Sequence, residues 1–238
     1  MNKNYLLHGQ MVKVRDLGND DIGRMIELFK IYFANIKDEK FLKDLYTKDC
    51  VLLLKDAHET IQGFTTIKFL KVNIESKSIR AIFSGNTIIA KDFWGKSDMP
   101  RVWMQCMLAE KGKNLDQPLY WFLICSGYKT YKMLPNYFRE FWPRYDRPMP
   151  PEIKKTIDFL AASMFGSDYD RKTGIIRFSD TQERLRGEYS KISEALLTDP
   201  HINFFAQANP GHHLGHELAC LADFCDENLN DYAHQTLH

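Results

Sequence analysis

Two unbroken apolar runs, Cys50-Val-Leu-Leu-Leu54 and Leu119-Tyr-Trp-Phe-Leu-Ile-Cys125, set the tightest limit on what this chain can fold into. A membrane helix needs ~20 apolar residues, and both runs fall far short of that. Their lengths suit strands, and neither leaves a polar face, so each strand must be covered on both sides. The fold therefore needs an internal sheet with helices packed against it.

The flanking sequence supplies those pieces. Val12 and Val14 alternate with Lys13 and Arg15 as a short strand, and Asn19 or Asp20 caps a helix whose apolar stripe is Ile22, Met25, Ile26, Phe29 and Phe33. A second helix covers 39–46. After Cys50–Leu54 and a turn at Asp56–Glu59, the segments 61–72 and 78–89 are rich in Ile, Phe and Thr and read as an antiparallel meander. The tract Asp92-Phe-Trp-Gly-Lys-Ser-Asp-Met-Pro100 ends that meander and opens a helix over 101–111, with Ser97 or Asp98 as N-cap and Pro100 in the first turn. Past Cys125, the residues Tyr131, Leu134, Phe138 and Phe141 recur at helical spacing, with Pro135 expected to kink or split the helix.

The stretch from Pro143 to Pro151 carries four of the nine prolines and is the clearest breaker. Beyond it the pattern predicts a helix with Ile153, Ile157, Leu160 and Met164 on one face, a strand at 175–178 and a helix over 181–197. A final hairpin is expected from strands at 202–205 and 217–224 around Asn209-Pro-Gly211. The fold class is α+β, with a mixed, mostly antiparallel sheet.

Composition excludes several functions. The 32 basic and 31 acidic side chains leave a net charge of +1, without the surplus of a general polyanion binder. Five cysteines at 50, 106, 125, 220 and 225, unpaired as CxxC, and an N-terminal stretch without a signal-peptide apolar run predict a reducing, cytoplasmic setting with no membrane segment.

The order of strand, two helices, three-strand meander, loop into helix, strand, helix and late hairpin resembles the GNAT superfamily of N-acyltransferases. The likeness spans 11–142 and 201–225, with 143–200 as an insertion in a single domain, expected to cover the acceptor side. The resemblance implies a fourth and fifth strand that splay apart, with a thioester donor, acyl-CoA or carrier-bound, held between the strand ends near Ile89 and Cys125. It also implies that the donor's pyrophosphate sits on the loop and helix start formed by Trp94, Gly95, Lys96, Ser97 and Arg101, since orphan amides and the helix dipole attract anions. The family's loop reads Gln or Arg, two residues, Gly, one residue, Gly or Ala. Here the matching stretch is Asp92 to Ser97, and Gly95 alone agrees. For chemistry, the fourth-strand stretch Phe83-Ser-Gly-Asn-Thr87 lacks the Glu many members use as base, leaving Ser84 and Asn86 as candidates. The acid for the leaving group falls to Tyr131 or Tyr137. The expected reaction is direct transfer of an acyl group to the amine of a small-molecule acceptor.

Two other clusters carry alternatives. Lys129, Lys132 and Arg139 lie on a basic, aromatic-rich stretch that could contact an aminoacyl-tRNA donor or serve a non-catalytic binding module. His212, His216 and Cys220 have zinc-competent spacing on a helix, but Gly211 and Gly215 oppose a helix there, and no metal is assigned.

Overall fold

The computed structural model describes residues 6–178 and 183–237. The first half of the chain forms β1 (His8–Lys13), α1 (Asn19–Tyr32), a two-residue β2 (Phe33–Ala34), α2 (Asp38–Leu45), β3 (Cys50–Lys55), β4 (Ile61–Ile74), β5 (Lys77–Ile89) and α3 (Met99–Gly112). Then come β6 (Leu119–Cys125), α4 (Tyr128–Tyr137), α5 (Pro151–Phe165), β7 (Tyr169–Asp170), β8 (Ile175–Ile176), β9 (Arg184–Leu185), α6 (Gly187–Ser190), α7 (Pro200–Ala208), β10 (Glu217–Asp223) and α8 (Asp231–Leu237). Both apolar runs are interior strands of one eight-stranded sheet of order β1-β3-β4-β5-β6-β10-β8-β7. Every neighbouring pair in it is antiparallel except β5 with β6.

Alternation along the strands sorts the core into two faces. Val51, Leu53 and Phe64 pack against α1 and α2, while Phe83, Ala219 and Leu221 on the same face meet α5. The opposite face carries Leu52 and Leu54 under Met99, and Ile82, Trp121 and Leu123 under α3 and α4. The parallel pair is fastened at its base. The buried Arg80 guanidinium donates to the carbonyls of Glu110 at 2.6 Å, Lys111 at 3.2 Å and Asn114, so a cation closes the C-terminal end of α3.

Three sequence expectations fail for identifiable reasons. Residues 202–205 lie in α7, so there is no closing hairpin. Asp199 caps that helix, its Oδ1 accepting from the His201 and Ile202 amides at 2.9 and 3.3 Å, and Pro200 follows in the first turn. The helix expected over 181–197 is broken in its described part into β9, the single-turn α6 and a 3-10 turn at Leu196–Thr198; residues 181 and 182 lie outside the described residues. α4 stops at Tyr137, two residues after Pro135, which lacks an N–H. Phe138, in extended backbone, and Phe141 are buried beyond the helix end instead, with Phe138 bridging to Leu229 and Trp142 to Leu221. The strand at 175–178 is limited to Ile175–Ile176, yet it extends the main sheet beside β10.

Candidate active site

The β5–β6 ladder runs from Arg80 opposite Leu119 to Ser84 opposite Leu123 and then ends, although β5 continues to Ile89 and β6 to Cys125. Beyond Ser84 the two parallel strands part. On its other edge β5 bulges there: Thr66 pairs with Gly85 and Phe64 with Ile88, so Asn86 and Thr87 together oppose Thr65. Such a bulge redirects side chains beside a site. Asn86 takes φ +46°, a conformation that Asn tolerates better than most residues. Its Nδ2 donates to Asp44 Oδ2 at 2.9 Å, joining the bulge to α2. Thr87 Oγ1 meets Thr65 Oγ1 at 2.8 Å.

A cavity of about 860 Å³ occupies this opening and reaches both faces of the sheet. On the α3 and α4 face its wall is apolar, formed by Met99, Trp103, Trp121, Leu123 and Met133. Ser84 Oγ accepts from the indoles of Trp103 and Trp121, each at 3.1 Å, which fixes both rings at the floor. On the α1 and α2 face the wall is charged, with Asp44, Glu183 and Glu217 among lysines from α2 and β4. The segment 143–200 supplies Ser163, Met164, Phe165 and Asp168 to this side.

Glu217 stands at the start of β10, beside the end of β6, because Leu218 pairs with Cys125. Its side chain is half-buried and lines the cavity. No hydrogen bond or ion pair reaches its carboxylate among the described residues. Burial is the main cause, with Glu183 and Asp44 adding repulsion, of a carboxyl pKa raised from 4.5 to about 8. Burial first, then Asp44, also raises Glu183, against the pull of Lys40. Beside it, just past Cys125, Ser126 Oγ is buried without a hydrogen-bond partner among the described residues.

The two tyrosines proposed as acids sit elsewhere. Tyr131 is fully buried, donates to the Pro143 carbonyl at 2.9 Å and does not line the cavity. Burial drives its hydroxyl far above the ordinary tyrosine range. Tyr137 is buried at the end of α4 and stacks on Tyr232, 5.6 Å between centroids. Cys125 is buried with its thiol 3.7 Å from Cys220, and burial pushes its pKa well up, which keeps it a thiol rather than a nucleophile. Among the described residues, no three His, Cys, Asp or Glu side chains gather as a metal site.

The loop expected to receive a pyrophosphate has a different occupant. Residues 6 and 7 lie along it: the Leu6 and Leu7 amides donate to the Lys96 carbonyl at 2.8 and 3.3 Å, and the Asp98 amide donates to the Leu7 carbonyl at 3.3 Å. Asp98 is the N-cap of α3, and its buried carboxylate accepts from the Gly9 amide and from Arg101, both at 2.6 Å. Lys96 and Trp94 turn back on the loop as well, Lys96 Nζ donating to the Asp92 carbonyl and Trp94 Nε1 to that of Ile89. Gly95 has φ +73° and open space around it, as a turn requires. Ser97 is buried beside Leu7. A negative side chain thus sits at the helix start where an anionic ligand would be drawn.

The basic stretch is likewise engaged. Lys132 pairs with Asp199 at 2.6 Å, Arg139 with Asp231 at 2.7 Å, and Lys129 Nζ lies 3.3 Å from the centroid of the Trp94 ring.

No protein-family model matches the chain, and no curated protein matches it in sequence. Among solved structures it is similar to a conserved protein of unknown function from Enterococcus faecalis, a probable N-acyltransferase, with TM-score 0.41, 13% identity and coverage of 94% of this chain and 67% of that one. A GNAT family N-acetyltransferase from Escherichia coli in complex with CoA gives TM-score 0.33 and 12% identity, covering 50% of this chain and 64% of that one. For glucosamine-6-phosphate N-acetyltransferase from Arabidopsis thaliana the values are 0.35 and 13%, covering 60% and 96%. The sheet order of this chain, its parallel β5–β6 pair and the splay beyond Ser84 make the fold GNAT-like.

Proposed function

We propose that the protein is an acyltransferase that moves an acyl group from a thioester, held in the β5–β6 opening, to the amine of a small acceptor bound on the charged side. The observation that carries this reading is the Glu217 carboxylate lining the cavity, which has no hydrogen-bond or ion-pair partner among the described residues. A base titrating near 8 suits the deprotonation of an amine close to neutral pH. The acceptor enters as an ammonium drawn toward Glu183 and Asp44, and one proton from it and the proton held by Glu217 leave to solvent before attack. The amine nitrogen then attacks the thioester carbonyl carbon, with the thioester aligned along the apolar wall of Trp103, Trp121 and Met133. As the C–N bond forms, Glu217 takes the second proton. As the C–S bond breaks, Glu217 returns that proton to the departing sulfur, which leaves as a thiol. Neither tyrosine is needed, and no acyl-enzyme forms. The bulge at Asn86 and Thr87 brings backbone outside the regular ladder beside the carbonyl oxygen, where developing charge is best met by fixed dipoles.

The test is incubation of the purified chain with an acetyl thioester and a panel of small primary amines, following thiol release and the mass of the acylated acceptor. The reading predicts an amide product that depends on the amine. Thioester turnover that is the same with and without any amine would contradict it.

A further inference from the structure

Acyl-CoA carries its thioester on a pantetheine arm attached to a nucleotide through a pyrophosphate. The resemblance to the GNAT superfamily implies that this pyrophosphate sits at the start of α3, and three observations show that the residues there do not fit it. The Asp98 amide is spent on Leu7. The Asp98 carboxylate, 2% exposed, occupies the helix start and is itself satisfied by Gly9 and Arg101. The second residue of the helix is Pro100, which has no N–H to offer. An incoming diphosphate would meet a fixed negative charge and would have to displace residues 6 and 7, whose Leu7 side chain is fully buried against Leu52, Leu54 and Met99. The apolar wall deeper in the opening keeps its full set of side chains. The two halves of a CoA donor are thus treated differently by this chain.

We infer that the donor is recognised through an acylated pantetheine-like arm alone, and that the nucleotide diphosphate of CoA contributes no binding. This inference rests on the acyl-transfer reading above and narrows its donor to any thioester presenting the arm, free or attached to a carrier domain.

The full chain is tested by thermal shift with CoA, with pantetheine and with the nucleotide bisphosphate fragment of CoA, and by kcat/KM for acetyl-CoA, acetyl-pantetheine and an acetylated carrier protein. Expected are affinities and kcat/KM values for the CoA and pantetheine forms within about threefold of each other, with no shift from the nucleotide fragment. A carrier donor that surpasses free acetyl-pantetheine identifies the carrier as the source, and equal use identifies a free thioester. A preference for the CoA form of about thirtyfold or more, or competition by the nucleotide fragment, overturns the inference and leaves acyl transfer standing. Absence of binding by both arm-bearing ligands overturns the two together. An Asp98→Asn variant serves as a second probe: a CoA preference that appears only in this variant supports the inference by assigning the exclusion to the carboxylate.

Discussion

The two sides of the β5–β6 opening are built on opposite electrostatic plans. On the donor side, every charged group at the start of α3 is matched: Asp98 holds Gly9 and Arg101, and Lys96 returns to its own loop. On the acceptor side, Glu217 has no hydrogen-bond or ion-pair partner among the described residues, and its neighbours Glu183 and Asp44 add repulsion rather than relief. A buried carboxyl without a compensating bond is costly to the fold. Neutralised groups near a ligand site hold structure, whereas an uncompensated one inside a cavity is where chemistry is to be sought.

The contrast is broken most directly by removing the uncompensated group. Glu217→Gln keeps the shape and loses the base, and kcat/KM for amine acylation is expected to fall about 10²–10⁴-fold. A loss below about tenfold would erase the distinction between the two sides. The floor between them is tested by Ser84→Ala, which leaves two buried indole N–H groups without an acceptor. A destabilisation of about 2 kcal/mol is expected, read as a Tm lowered by about 4–8 °C.

Stability should also depend on pH through Glu217. Its folded pKa lies above the unfolded value, so the folded state holds the proton more tightly, and this contribution is complete below about 4.5 and lost as pH rises through about 8. Wild type should lose Tm across that window relative to Glu217→Gln, and parallel curves would show that the carboxyl is not shifted. The smallest effects belong to the neutralised basic stretch. Lys132→Ala and Arg139→Ala each remove one partly exposed ion pair and should change stability by no more than about 1 kcal/mol in denaturant titrations.

Much of the fold was legible because its signals are local. The runs at 50–54 and 119–125 could be little else than buried strands, and 61–72 and 78–89 announced the long pair β4 and β5. The quartet at 202–205 misled because a short apolar run suits a strand or a helix equally, and the Asp199-Pro200 start decided it. The splay near Ile89 and Cys125 was implied by family resemblance, but the chemistry within it was not visible. Glu217 reads as one acid at the head of a strand until β10 is laid antiparallel against β6, where Leu218 pairs with Cys125, 93 positions earlier. The donor loop shows the same limit: Asp92 and Gly95 looked informative, whereas Asp98 and residues 6–7 determine what the loop can hold, and that pairing spans most of the sheet's first half. Tyr131 was drawn into the site by its position on α4, but its place in the apolar stripe decided its fate.

The central claim is that Glu217 acts as the base for amine acylation in the opening. It is tested most directly by the pH dependence of kcat/KM for wild type and Glu217→Gln with the same thioester and amine. The account predicts a wild-type rate that rises with an apparent pKa near 8 and a variant in which that limb is absent. The same limb, at the same pH and amplitude, in both proteins would contradict it.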